Sequence, residues 1–188
     1  LDIVRTLGCD TADLTEEIRV PEDELSAARA ALASTAGRRI GFHLGAGKLA
    51  NRWPAERFAR LASLLAADGP TRVVLFWGPA ESELRDEYER HADGAAEYAG
   101  PMPVTRLAAW FGSCDVMVCN DTGVMHLAAA AGVPTVALFG PTDPQEWTPR
   151  GDRVRALRGS GGSVAAIGVE EVASCVRALL AAYPPPAR

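Results

Sequence analysis

The chain reads as an α/β fold, a Rossmann-like doubly wound parallel sheet, because short apolar β-branched runs such as TRVVLFW and PTVALFG alternate with longer stretches of helical periodicity. The spacing is tight as well. Residues 119–144, CNDTGVMHLAAAAGVPTVALFGPTDP, hold strand, polar turn, small-residue helix, strand and second turn within about the minimum length of one βαβ unit. Right-handed crossovers between such strands give a mostly parallel sheet with helices on both faces.

The elements follow in order. PEDELSAARAALAS (21–34) opens on Pro and two acids and repeats apolar residues at helical spacing, so a helix is expected. RRIGFHL (38–44) is expected as a strand. WPAERFARLASLLAADG sets Pro54 at the first helical position, lines Phe58, Leu61, Leu64 and Leu65 along one face and stops at Gly69. TRVVLFW (71–77) is a strand closed by Gly-Pro, AESELRDEYERHA a helix, and a short strand is expected near AAEYAG. VTRLAAWFGS (helix), CDVMVCN (strand), TGVMHLAAAA (helix), PTVALFG (strand), RVRAL (a weaker strand) and VEEVASCVRALLAA (helix) complete the series. Residues 37–188 are read as one domain ending in a Pro-rich tail, and residues 1–36 as the end of a preceding domain with a linker helix. The first residue is Leu, and the opening segment is expected to belong to something longer.

Composition narrows the function classes. Apolar residues make up 48% of the 188 and charged residues 23%, an ordinary globular balance. A net charge of −5 without a basic stripe argues against a nucleic-acid partner, because phosphate backbones are bound by clustered Lys and Arg. The apolar runs are broken by Gly or Pro well short of the roughly 20 residues a membrane span needs, and LDIVRTLGCD lacks the pattern of a signal peptide. The four cysteines, Cys9, Cys114, Cys119 and Cys175, show no CxxC or zinc spacing. They are expected to be small buried hydrophobes in a reducing, cytoplasmic setting. The three histidines lie far apart in the chain, which lowers the expectation of a metal site.

In an open parallel sheet ligands sit beyond the carboxyl ends of the strands, so the loops after the strands carry the chemistry. HLGAGKLANRWP (43–54) offers glycines that let a backbone approach a ligand, N–H groups for phosphate oxygens, and the charges of Lys48 and Arg52. It is not a Walker A loop, since Phe42 stands where the first Gly belongs and Leu49 where Ser or Thr must hold magnesium. It matches G-x-G-x-x-A at Gly45, Gly47 and Ala50, yet Pro54 starts the helix later than a dinucleotide fold does. A plain surface loop remains the alternative.

GPAESE (78–83) brings Glu81 to the end of the strongest strand, where an acid can accept hydrogen bonds from both hydroxyls of a ribose, or merely favour the start of a helix. In NDTGVMH, Asp121 is expected to cap the helix, with Thr122, Gly123 and His126 on one face. Gly123 would leave room for a diphosphate against free N–H groups, and His126 would stand beside it as a donor; a histidine of the core is the bland reading. An aspartic-protease reading of Asp-Thr-Gly fails, because the motif occurs once and feeds an Ala-rich helix. FGPTDPQEWTPRG reads as a rigid turn in which Thr142 and Asp143 could bond a sugar.

Taken together, GAGKLANRWP, GPAE and NDTGVMHLAAAAGVPTVALFGPTDPQEWTP, in this order, resemble the C-terminal half of family 9 glycosyltransferases, the lipopolysaccharide heptosyltransferases. The likeness covers roughly residues 38–157, and the long third motif is its specific part. The resemblance implies a GT-B architecture of two facing Rossmann-like domains and inverting transfer of heptose from ADP-heptose to a lipopolysaccharide-core or other glycan acceptor. It implies no cofactor, no obligatory metal, and a cytoplasmic location with peripheral seating at the inner membrane face left open. Asp121, Thr122, Gly123 and His126 would hold the donor diphosphate and sugar, with His126 stabilising the leaving group. Ala46 and Gly47, helped by Lys48, Asn51 and Arg52, would meet phosphate, Glu81 the ribose, and Met102 the surroundings of the adenine. Asn51 departs from the family, which usually has Lys before the Trp-Pro unit, and the catalytic base of the family belongs to the N-terminal domain. A UDP-type transferase or epimerase, and a non-catalytic nucleotide-sugar-binding module, stand as alternatives.

Overall fold

The computed structural model describes the chain except residues 1–4, 9, 12–15, 34–36, 95 and 186–188. Its strands are β1 (Arg38–His43), β2 (Thr71–Phe76), β3 (Ala96–Ala99), β4 (Val116–Asn120), β5 (Thr135–Phe139) and β6 (Val154–Arg158). Its α-helices are α1 (Glu22–Ala31), α2 (Ala55–Ala66), α3 (Ser82–His91), α4 (Val104–Phe111), α5 (Gly123–Ala130), α6 (Pro144–Trp147) and α7 (Val169–Ala182). Each expected element is present within its stretch, except that β6 runs on to Arg158.

The strands form one 6-stranded sheet in the order β3-β2-β1-β4-β5-β6, every neighbouring pair parallel. The chain winds outward from β1 in one direction and then from β4 in the other. The connections after β1 and β4 therefore diverge to opposite faces and open a crevice at the carboxyl edge, the usual ligand position of this topology.

Alternation along β2 shows how both faces are buried. Val73 and Leu75 join a core with Ile40, Phe42, Phe58, Leu61, Tyr88, Val176 and Leu179, under α2, α3 and α7. Val74 and Phe76 join a second core with Phe111, Met117, Ala128 and Leu32, under α4 and α5. A strand covered on both faces must be apolar at nearly every position, which is why TRVVLFW reads as a continuous run. Aromatic side chains pack edge-on: Phe42 lies 5.4 Å from Phe58 and Phe76 4.7 Å from Phe111, ring centre to ring centre.

The segment before β1 packs on this domain. Arg106 on α4 pairs with Glu24 on α1 at 3.0 Å, Leu32 is fully buried, and the Ile18 N–H donates to the Ala130 carbonyl at the end of α5. Cys114 and Cys119 are buried as expected, and burial pushes the Cys119 thiol up to about 12. Cys175 differs, being only half-buried on the amphipathic helix α7, and Cys9 lies outside the described residues. No helix among the described residues is long and apolar enough to cross a membrane.

Candidate functional site

A cleft of about 380 Å³ opens at the carboxyl ends of β1, β2, β3 and β4. Its wall runs from His43, Ala46 and Gly47 past Trp77, Glu81 and Met102 to Thr122, and its volume lies in the range of small-molecule sites. A larger depression, about 720 Å³, lies at the amino edge, where Arg39 and Asp115 are already bonded to each other. The smaller cleft is the one at the switch point, so topology favours it.

Hydrogen bonds between loops fix the floor of this edge. Asn120, fully buried at the end of β4, donates through Nδ2 to the Leu44 carbonyl at 2.7 Å and accepts the Trp53 N–H at 3.0 Å. Beside it Asn51 Nδ2 donates to Asp121 Oδ2 at 3.0 Å and to Thr142 Oγ1 at 3.3 Å. The loops after β1, β4 and β5 are thereby held to one another across the crevice. Asn51 thus stands against the Asp121 carboxylate as a neutral donor.

Asp121 does not cap α5, contrary to the sequence reading. Thr122 is the N-cap, its Oγ1 accepting the Val124 N–H at 2.9 Å. The reason is geometric: Asp121 is still bonded as part of the sheet, its N–H donating to the Leu138 carbonyl, so the break into helix comes one residue later. The space over Gly123 is open, and no neighbouring atom of the chain would meet a Cβ there within 4 Å. Asp143 likewise caps its own helix, α6, by accepting the Gln145 N–H. That helix, within FGPTDPQEWTPRG, was not foreseen.

Glu81 is the most constrained group in the cleft. Its Oε2 accepts the Gly78 N–H at 2.7 Å and lies 3.4 Å from His43 Nε2, while a Cβ on Gly45 would fall on top of Oε1. The His43 imidazole, above all, holds the Glu81 carboxyl below the usual carboxylate range; the Gly78 N–H and the Arg52 charge act in the same direction against the opposing effect of burial. Met102 lines the cleft and also packs against the second core.

His126 has a partner that sequence reading missed. Its Nδ1 lies 2.9 and 3.0 Å from the carboxylate oxygens of Glu16, on the segment that precedes α1. With a carboxylate there, Nδ1 carries the proton and Nε2 is the nitrogen left for a ligand. Of the residues singled out, the cleft wall brings together Ala46, Gly47, Glu81, Met102 and Thr122. Asp121, Gly123 and His126 stand beside it on the turn and helix that follow β4. Lys48 is exposed on the rim, and Arg52 donates from Nε to the Ala46 carbonyl at 2.8 Å, bracing that loop.

His43 and Trp77 were also missed. Both line the cleft, and His43 Nδ1 and Trp77 Nε1 are buried with no hydrogen-bond partner among the described residues. Asn51 Oδ1, Arg72 Nε and Thr148 Oγ1 are likewise buried without a partner among the described residues, so the feature is not peculiar to the cleft. The sequence signal was their place in strands: His43 ends β1, and Trp77 follows β2, where a parallel sheet presents residues to ligands.

The doubly wound parallel sheet, with its crevice at the switch point, defines a Rossmann-like α/β domain. Comparison with known proteins gives the family: residues 3–173 match glycosyltransferase family 9 (heptosyltransferase), and the chain belongs to it. Lipooligosaccharide heptosyltransferase 2 of Haemophilus influenzae is 35% identical over 115 residues, 58% of this chain and 33% of that protein. The structure of a family 9 glycosyltransferase from Veillonella parvula superposes with a TM-score of 0.87 at 25% identity, covering 96% of this chain and 58% of that one. For the E. coli ADP-heptose lipopolysaccharide heptosyltransferase II the TM-score is 0.79 at 30% identity, over 88% and 54%. The chain thus spans about a third of the matched curated relative and a little over half of these solved chains.

Proposed function

We propose that this chain is the nucleotide-sugar-binding half of a two-domain GT-B heptosyltransferase, taking ADP-heptose or a closely related donor. The observation that carries this reading is the Glu81 carboxylate, anchored by the Gly78 N–H in the cleft at the switch point of the sheet. The similar E. coli enzyme, an ADP-heptose lipopolysaccharide heptosyltransferase, supports ADP-heptose as the donor. Glu81 accepts the ribose hydroxyls, and the adenine lies toward Met102. The diphosphate rests on the loop of Ala46 and Gly47 and at the N-terminus of α5, over Gly123.

The reaction is direct displacement at the anomeric carbon: an acceptor hydroxyl attacks, the carbon–oxygen bond to the diphosphate breaks, and configuration inverts. Charge developing on the departing diphosphate meets N–H groups of α5, donors already in place before the bond breaks, and His126 adds a donor at Nε2 when that nitrogen is protonated as well as Nδ1. Lys48 and Arg52 add positive charge at the rim. The base that takes the acceptor proton comes from the second domain, and the acceptor is a lipopolysaccharide-core or other glycan. The setting is cytoplasmic, with peripheral seating at the membrane face.

The test is calorimetric titration with ADP, UDP and GDP, alongside His126→Ala and Asp121→Asn. ADP is expected to bind most tightly and both variants more weakly. Preference for UDP would move the chain to another donor class, and unchanged binding in both variants would remove the α5 turn from the site.

A further inference from the structure

Resting on that reading of the cleft, we infer that His43 is a specificity-determining positioning residue: it locks Glu81 in the one orientation that reads both ribose hydroxyls, and so makes the site select ribonucleotides over 2′-deoxyribonucleotides.

Three groups on two strand ends surround the Glu81 carboxylate. The Gly78 N–H holds Oε2 from the β2 side. His43 Nε2, at the end of β1, lies 3.4 Å from the same oxygen. Gly45, two residues on, has no Cβ, and Oε1 occupies the place a Cβ would take. Oε2 is therefore engaged and directed, and Oε1 rests against the Gly45 backbone, in space that a side chain there would take. A carboxylate fixed at both oxygens can meet two adjacent hydroxyls at once; one free to rotate meets either without preference.

His43 itself is 7% exposed, and its Nδ1 has no partner. Ile40 and Phe42 enter the first core from the opposite face of β1, and His43 shares its own face with Gly41 and Arg39. A buried imidazole with one unpaired nitrogen gains nothing at this position from the core; what it gains is the contact of Nε2 with Glu81. The depressed Glu81 pKa, with His43 as its first cause, agrees with that geometry.

The experiment compares ADP with 2′-deoxy-ADP by calorimetry on the chain, on His43→Phe and on His43→Gln, whose side-chain amide can place a donor near the position of Nε2. The unmodified chain is expected to prefer ADP by about tenfold or more, the scale of one hydrogen bond to a charged group. In His43→Phe the preference should shrink to about twofold or less through weaker ADP binding, with 2′-deoxy-ADP nearly unchanged; His43→Gln should keep most of it. Retention of the full preference in His43→Phe, or an equal loss of both nucleotides, overturns the inference, the second result being that of a merely structural residue. Absence of preference in the unmodified chain overturns it too while leaving nucleotide binding intact. Failure of that chain to bind ADP at all would instead strike the proposed function.

Discussion

Replacing Gly45 by Ala isolates the Glu81 anchor from everything else in the cleft. The backbone at Gly45 does not adopt a left-handed conformation, so alanine brings no dihedral strain there. Its Cβ would instead meet the Glu81 carboxylate, the end of a side chain able to swing away. Swinging away breaks the 2.7 Å bond from the Gly78 N–H and the contact with His43. A hydrogen bond to a charged group is worth about 1.5–3 kcal/mol. Because the carboxylate side chain keeps 17% exposure and water takes up part of the loss, the net cost to stability is about 1 kcal/mol. That corresponds to a fall of about 2–4 °C in Tm for a domain of this size. Binding suffers more: losing the bonds to the ribose weakens ADP by about tenfold to a hundredfold. Thermal melts and ADP titrations of the same preparation read both quantities. An alanine variant that melts slightly lower yet binds ADP within twofold of the parent would refute the placement of ribose at Glu81.

Other perturbations address the scaffold. Thr122→Ala removes the cap of α5 and should cost about 1 kcal/mol, or about 2–4 °C, with Thr122→Ser restoring most of it, as read by thermal melts. Asn120→Ala strips partners from the buried Leu44 carbonyl and Trp53 N–H together; chemical denaturation should show a loss of about 2–4 kcal/mol. The lowered pKa of Glu81 gives the sign of a pH effect: its stabilising share is complete above the ordinary carboxylate range and is lost as pH falls through the lowered value. ADP affinity should accordingly hold as pH drops into the ordinary carboxylate range, and His43→Phe should move the onset of loss to higher pH. An unmoved onset would separate His43 from Glu81.

Most of the framework was legible because both faces of the sheet are covered. Burial on two sides forces runs such as VVLF and VALF, and crossovers force the helices between them, so periodicity alone ordered the elements. The strand ends identified the loops that carry chemistry, since a parallel sheet presents them at one edge. Pairings across those loops were not legible. Asn51 meets Asp121 over a separation of 70 residues, and Glu16 meets His126 over 110; nothing local encodes either. The capping of α5 by Thr122 rather than Asp121 was missed for a similar reason: the bond from Asp121 to Leu138 belongs to the neighbouring strand. His43 was hidden inside a strand whose other residues announce only packing.

A crystal structure of the chain with ADP tests the central claim most directly. The account predicts the ribose hydroxyls within hydrogen-bond distance of Glu81, the base toward Met102, and the diphosphate between Gly47 and the N-terminus of α5. Nucleotide density at the amino edge, beside Arg39 and Ser113, with the Glu81 cleft left to solvent, would contradict it.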